Sequence, residues 1–164
     1  MIIAIIPARG GSKRIPRKNI KFFAGKPIIA WAIEIALKSK LFDKVFVSTD
    51  DDEIATISRK YGAETPFIRP KDLSDDYTAT VEVIAHAVNW SLSKKLNLKQ
   101  ICCIYPTSPF MDSIDLKKAQ DLLIQKQCSY VFTATEYSST IFRSFKSNNK
   151  DEIEMFFGIL NSLP

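Results

Sequence analysis

The chain has 164 residues, with 23 Lys and Arg against 18 Asp and Glu, and 46% of its residues are hydrophobic. That composition excludes a disordered chain and fits a globular domain able to bury roughly 70% of its unfolded surface. The net charge of +5 is no argument for nucleic acid, because acids cluster at Asp50 to Glu53 and at Asp72 to Asp76, and one bound nucleotide can use the surplus.

In chain order, Ile2 to Ile6 is an unbroken apolar run ended by Pro7, which predicts a strand buried on both faces. It is too short, and too closely followed by cations, for a signal peptide or a membrane span, so a cytoplasmic protein is expected. Ile29, Ile33, Ala36, Leu37 and Leu41 recur at helical spacing and predict a helix over 28–41. Val45 to Val47 reads as a second strand. Asp50 to Tyr61 reads as a helix, capped by Asp51 or Asp52, with acids in its first turn, Arg59 and Lys60 in its last, and Gly62 as its stop. Thr65 to Ile68 is a third extended piece broken by Pro66, and Arg69 to Asp76 a polar loop.

Thr80 to Leu92 predicts a helix whose inner face is Val81, Ile84, Ala85, Val88 and Leu92, leaving His86 on the surface. Ile101 to Tyr105 reads as a fourth buried strand, Pro106 to Pro109 as a rigid turn, and Leu116 to Ile124 as a helix with Asp112, Ser113 or Asp115 near its start. Val131 to Ala134 is a predicted fifth strand. Cys102, Cys103 and Cys128 have neither zinc spacing nor room for a vicinal disulfide, and are expected to be buried free thiols. Strands alternating with helices predict an α/β fold with a mostly parallel sheet.

In such sheets ligands sit beyond the carboxyl ends of strands. The first of those loops joins Gly10, Gly11 and Ser12 to Arg9, Lys13, Arg14, Arg17 and Lys18, with no acid among them. Glycine lets backbone N–H groups approach a ligand, and the cations make that ligand a polyanion such as a triphosphate. The loop has neither the Gly-x4-Gly-Lys-[Ser/Thr] nor the Gly-x-Gly-x-x-Gly spacing. One histidine off the apolar stripe removes Ser-His and Cys-His hydrolase mechanisms, whereas nucleotidyl transfer needs none. Asp50 to Asp52 can cap a helix or bind metal. Arg69 can face a nucleotide or solvent. Tyr105 to Ser108 can bind a sugar or cap the next helix.

The segment Ile6 to Asn19, Ile-Pro-Ala-Arg-Gly-Gly-Ser-Lys-Arg-Ile-Pro-Arg-Lys-Asn, resembles the nucleotide-binding signature of the CMP-acylneuraminate synthetase family. Lys26-Pro27-Ile28, Val47 to Asp51, Arg69 to Ser74 and Pro106 to Pro109 resemble that family's later motifs, in order. Ser138 to Phe145 and Glu152 to Phe156 look like its pseudaminic-acid branch. The resemblance runs from residue 1 to about residue 157. It implies a three-layer, nucleotide-diphospho-sugar transferase-like (Rossmann-like) fold, and a transferase that joins CTP to a nonulosonic acid of pseudaminic or sialic type, releasing pyrophosphate. It implies Mg2+ or another divalent cation as cofactor, with ligands it does not place in this chain, no nucleic-acid or membrane partner, and room for a homodimer. On matching positions, Ala8, Arg9, Gly10, Gly11, Ser12, Lys18, Asn19, Arg69 and Ser74 would hold the nucleotide, with Arg9 and Lys18 clamping its phosphates through the reaction. Tyr105, Thr107, Ser108 and Arg143 would face the sugar. Family members continue past this chain's C-terminus, where metal-holding aspartates lie. Residues 1–164 are therefore expected to form one cytidylyltransferase domain, shortened at its C-terminus. The alternatives are a nucleotide-binding module without turnover and a transferase for another sugar acid.

Overall fold

A computed structural model describes residues 1–136, 145–147 and 153–155, with side chains described for 1–136. The chain divides into two units, Met1–Ser129 and Tyr130–Pro164.

In the first unit β1 (Ile2–Pro7) leads through a long loop and a 3-10 turn at Lys18–Ile20 to a two-stranded hairpin, β2 (Phe22–Phe23) and β3 (Lys26–Pro27). Then come α1 (Ile28–Ser39), β4 (Lys44–Ser48), α2 (Asp52–Lys60), a 3-10 turn at Lys71–Leu73, α3 (Thr80–Ser93), β5 (Gln100–Cys103) and α4 (Ser113–Lys126). The sheet order is β4-β1-β5, and both pairings are parallel. Successive residues of β1 point to opposite faces. Ala4 and Ile6 pack with Ile29, Ala32, Ile33 and Ile54 of α1 and α2, while Ile3 and Ile5 pack with Phe46 and Ala87 beneath α3. The sheet is therefore the middle of three layers, which is the α/β architecture expected.

Asp51 caps α2 by accepting the Ile54 N–H at 2.9 Å, and Gly62 stops that helix at φ 94°. Asp112 caps α4 in the same way, accepting the Ile114 N–H.

Several expectations need correction. Thr65 to Ile68 forms no strand. The chain runs beside β4 only through isolated bridges, Phe46 to Glu64 and Thr49 to Ile68, with Pro66 between them unable to donate. The inward face of α3 is Val83, Ala87 and Ser91, whereas Val81 is 71% and Leu92 54% exposed. Trp90 sets this rotation by packing edge-on against Phe46 at 5.9 Å and tilted against Phe67 at 5.3 Å. Small Ala87 and Ser91 let the helix approach, and the Ser91 hydroxyl is satisfied by the Ala87 carbonyl. His86 consequently leaves the surface and stands edge-on to Phe67 at 4.9 Å, half-buried. β5 is not doubly buried. It is the sheet edge among the described residues, so Ile101 and Cys103 are exposed, Cys102 is half-buried and Cys128 is exposed. Burial still pushes the Cys102 thiol up to about 11.

In the second unit β6 (Phe145–Ser147) and β7 (Ile153–Met155) pair antiparallel. Val131 to Ala134 is not a strand: Tyr130 and Phe132 instead stack on the same side, ring centroids 6.1 Å apart. Arg143 and most of the branch-like segments around it lie outside the described residues. Among the described residues no helix is long and apolar enough to cross a membrane.

Candidate nucleotide site

At the carboxyl end of β1 the chain opens into a cavity of about 230 Å³. Pro7 enters from the end of β1, Arg9, Ser12, Lys18 and Asn19 from the loop after it, Arg69 from the segment beside β4, Thr78 and Thr80 from the approach to α3 and its first residue, and Tyr105 and Thr107 from the turn after β5. Parallel strands deliver all these loops to one edge, so residues nearly 100 positions apart share a pocket.

The expected site residues separate into two groups. Arg9, Ser12, Lys18, Asn19, Arg69, Tyr105 and Thr107 line the cavity together. Ala8 is fully buried, its N–H donated to the Ser48 carbonyl, and serves as footing. The Gly10 N–H is taken up by Asp50 Oδ1 at 2.9 Å, and Gly11 is exposed outside the lining. The Ser74 hydroxyl donates to the Pro70 carbonyl at 2.9 Å, closing its own turn, and Ser108 is likewise outside the lining. Sequence reasoning did not single out Thr78, Thr80, Asp75 or Asp76, all of which line the cavity. Thr80 Oγ1 lies 3.3 Å from the Tyr105 hydroxyl. The signal available was the run Asp75 to Thr80, polar residues leading directly into a helix.

Two buried polar groups in this cavity lack partners. Asn19 is 4% exposed; its Nδ2 donates to the Arg9 carbonyl at 2.9 Å, which fixes the amide orientation and leaves Oδ1 an unused acceptor. Arg69 is also 4% exposed, and its Nε and Nη2 are unused donors. Its nearest acid, Asp50, stands 3.8 Å away, too far for a hydrogen bond. Burial draws the Arg69 guanidinium below its ordinary value, and Asp50 opposes that. Buried donors and acceptors are nearly always satisfied in proteins, so an incoming water or ligand group that both donates and accepts would complete this set.

Arg9, Lys13 and Arg17 are already paired with acids. Arg9 donates to the Asp75 carbonyl and, at 2.5 Å, to Asp76 Oδ1, and Lys13 pairs with the same carboxylate. These contacts hold the Asp76 carboxyl below its usual range, Lys13 first and Arg9 second. Arg17 grips Asp51 with both nitrogens, at 2.5 and 2.9 Å, and reaches Glu53.

The hydrogen bond from Arg17 holds the Asp51 carboxyl below its ordinary value of 3.8. Its ionised form therefore adds stability that is complete above pH 3.8 and is lost as the pH falls through the lower folded value. Urea midpoints of the wild type and Asp51→Asn should differ at neutral pH and converge as acid is added. A gap that persists well below that pH would contradict this.

Among the described residues no three His, Cys, Asp or Glu side chains converge to hold a metal. Beside the cavity the Asp76 carboxylate is held by Arg9 and Lys13, Asp50 Oδ1 accepts the Gly10 N–H, and Asp75 Oδ1 accepts the Tyr77 and Thr78 N–H groups, so the described residues do not fit a protein-caged ion.

Residues 3–151 match the family model described as Cytidylyltransferase. Over 94% of its length the chain is 46% identical to a protein named pseudaminic acid cytidylyltransferase from Campylobacter jejuni subsp. jejuni serotype O:2, spanning 66% of that relative. It is 39% identical to an N-acylneuraminate cytidylyltransferase of Escherichia coli O18:K1:H7, covering 87% of this chain and 33% of that one. The chain thus spans just under two thirds of one curated relative and a third of the other. In fold it matches a solved CMP:2-keto-3-deoxy-manno-octonic acid synthetase complexed with CTP, with a TM-score of 0.64 at 21% identity over 77% of this chain and 48% of that one.

Proposed function

Because the chain belongs to the cytidylyltransferase family, we propose that its cavity binds CTP for transfer of the CMP group to a nonulosonic acid, with release of pyrophosphate. The observation that carries this is the pair of unsatisfied groups, Asn19 Oδ1 and the Arg69 guanidinium, in the same cavity as Arg9 and Lys18. Cytosine offers an amino donor together with ring acceptors, which is the complement of an amide oxygen and a guanidinium. Adenine offers its donor and acceptors in a larger, differently spaced frame. Thr78 and Thr80 add side chains bearing hydroxyls to the same lining.

In the reaction the anomeric hydroxyl oxygen of the sugar acid attacks the α-phosphorus. The new O–P bond forms as the bond to the β-phosphate oxygen breaks, the hydroxyl proton leaves to solvent or a basic group, and pyrophosphate departs with the bonding pair. Arg9 and Lys18 balance the charge that shifts onto the departing phosphates. Tyr105 and Thr107 are the acceptor-side hydroxyls of this reading. Mg2+ or another divalent cation is the proposed cofactor, which would be held by substrate phosphate oxygens together with carboxylates that the described residues do not supply. The proposed setting is the cytoplasm, where CTP is available, and a homodimer is compatible with the reading.

Calorimetry with CTP and ATP tests it, with Arg9→Ala as control. CTP is expected to bind more tightly than ATP, and the variant to lose about ten- to a hundred-fold in affinity, the worth of a hydrogen bond to a charged group. Equal affinities, or an indifferent variant, would overturn it. Pyrophosphate release with a panel of keto-sugar acids separates turnover from binding alone.

A further inference from the structure

The opening loop carries more cations than its cavity uses. Arg17 is absent from the lining and faces the start of α2. Its backbone is left-handed, φ 55° and ψ 28°, a conformation strained for a non-glycine residue that persists only where surroundings enforce it. What enforces it is a two-pronged grip on Asp51, whose Oδ1 simultaneously caps α2 at Ile54.

The other end of the loop is fixed to the same place. Gly10 donates its N–H to Asp50, and a Cβ built on Gly10 would sit 2.7 Å from Asp51 Oδ2. The excursion from Gly10 to Arg17 therefore begins and ends on one dipeptide. Between those points the backbone bonds only to itself, Ser12 to Gly10 and Lys18 to Ile15.

The geometry points to Arg17 and Asp51 as positioning residues, a clamp that presents Arg9, Ser12 and Lys18 to the cavity before any ligand arrives. Neither touches the cavity, and what the loop is presented to rests on the nucleotide reading above. An ordinary exposed ion pair contributes little. A clamp acts differently: without it, binding must itself order the loop, and ordering about one residue's backbone corresponds to roughly a ten-fold loss of affinity.

Hydrogen exchange of amides 10–18 without nucleotide, and CTP titration, would be measured on the wild type, Arg17→Leu, Arg17→Lys, Asp51→Asn and the Arg17→Leu/Asp51→Asn double variant. Asparagine retains the Ile54 cap. Arg17→Leu and Asp51→Asn should each weaken CTP binding about ten-fold and speed exchange of the loop by clearly more than any loss of global stability speeds exchange in β1 and α1. Arg17→Lys should fall between, and the double variant should be no worse than either single one. Unchanged loop exchange, losses that add in the double variant, or exchange speeded as much in the scaffold as in the loop would each overturn the clamp. A wild type indifferent to CTP would overturn the nucleotide reading instead, and loop exchange would still decide the clamp.

Discussion

Arg69→Met is expected to remove measurable CTP binding, a loss of about a hundred-fold or more, while leaving the empty fold as stable as before or more so. Methionine fills similar length with no charge to desolvate. Wild-type Arg69 is 4% exposed, has two idle nitrogens, and reaches Asp50 only at 3.8 Å. Replacing a whole buried ion pair by apolar side chains is often neutral or stabilising by about 1–4 kcal/mol, and the penalty for removing only one partner comes from the charge left buried, which here would be Asp50. Asp50 tolerates the loss because it keeps the Gly10 N–H and its side chain is 25% exposed. Urea denaturation beside CTP calorimetry checks both halves. A variant that unfolds easily yet still binds CTP would show that Arg69 is structural, its idle donors notwithstanding. The opposite pattern, stability gained and binding lost, is the signature of a residue maintained for a ligand.

Gly10→Ala should destabilise the chain by about 1–3 kcal/mol, the usual cost of forcing an added methyl into packed surroundings, and should weaken CTP binding with it. Gly11→Ala should do neither. The added Cβ at Gly10 meets Asp51 Oδ2 at 2.7 Å and its Cβ at 3.0 Å. Asp51 cannot swing aside without releasing Arg17 and the Ile54 cap. At Gly11 nothing lies within 4 Å. The adjacent glycines look alike in sequence, and comparing urea midpoints and CTP affinities of the two alanine variants separates them. Equal effects would mean that the loop yields at Gly10 and that the contact with Asp51 is soft.

What the sequence disclosed was local. The run Ile2 to Ile6, the Asp51 cap and the Gly62 stop are each written within a few neighbouring residues, and each forms where expected. The cluster Arg9, Ser12, Lys18 and Asn19 was legible for the same reason: contiguous residues on one loop must share a neighbourhood. What depends on distant partners was hidden. The face that α3 buries is decided by Trp90 meeting Phe46 and Phe67, not by the spacing of its aliphatic residues. Ser74 and Ser108 carry suitable hydroxyls on suitable loops but lie outside the cavity, whereas Thr78 and Thr80 line it. Asp76, 67 positions from Arg9, holds a cation that composition alone leaves free.

That carboxylate has a consequence for selectivity. Asp76 is tethered beside Arg9 and Lys13, so it competes with incoming anions as an internal counterion at high effective concentration. A singly charged ion such as chloride exchanges one monovalent partner for another and gains nothing from the tether. A chain of phosphates can engage both cations and reach Lys18 as well, and so can displace Asp76. On the nucleotide reading the loop would discriminate by valency before shape, its tethered counterion holding the cations against the small anions that far outnumber nucleotides.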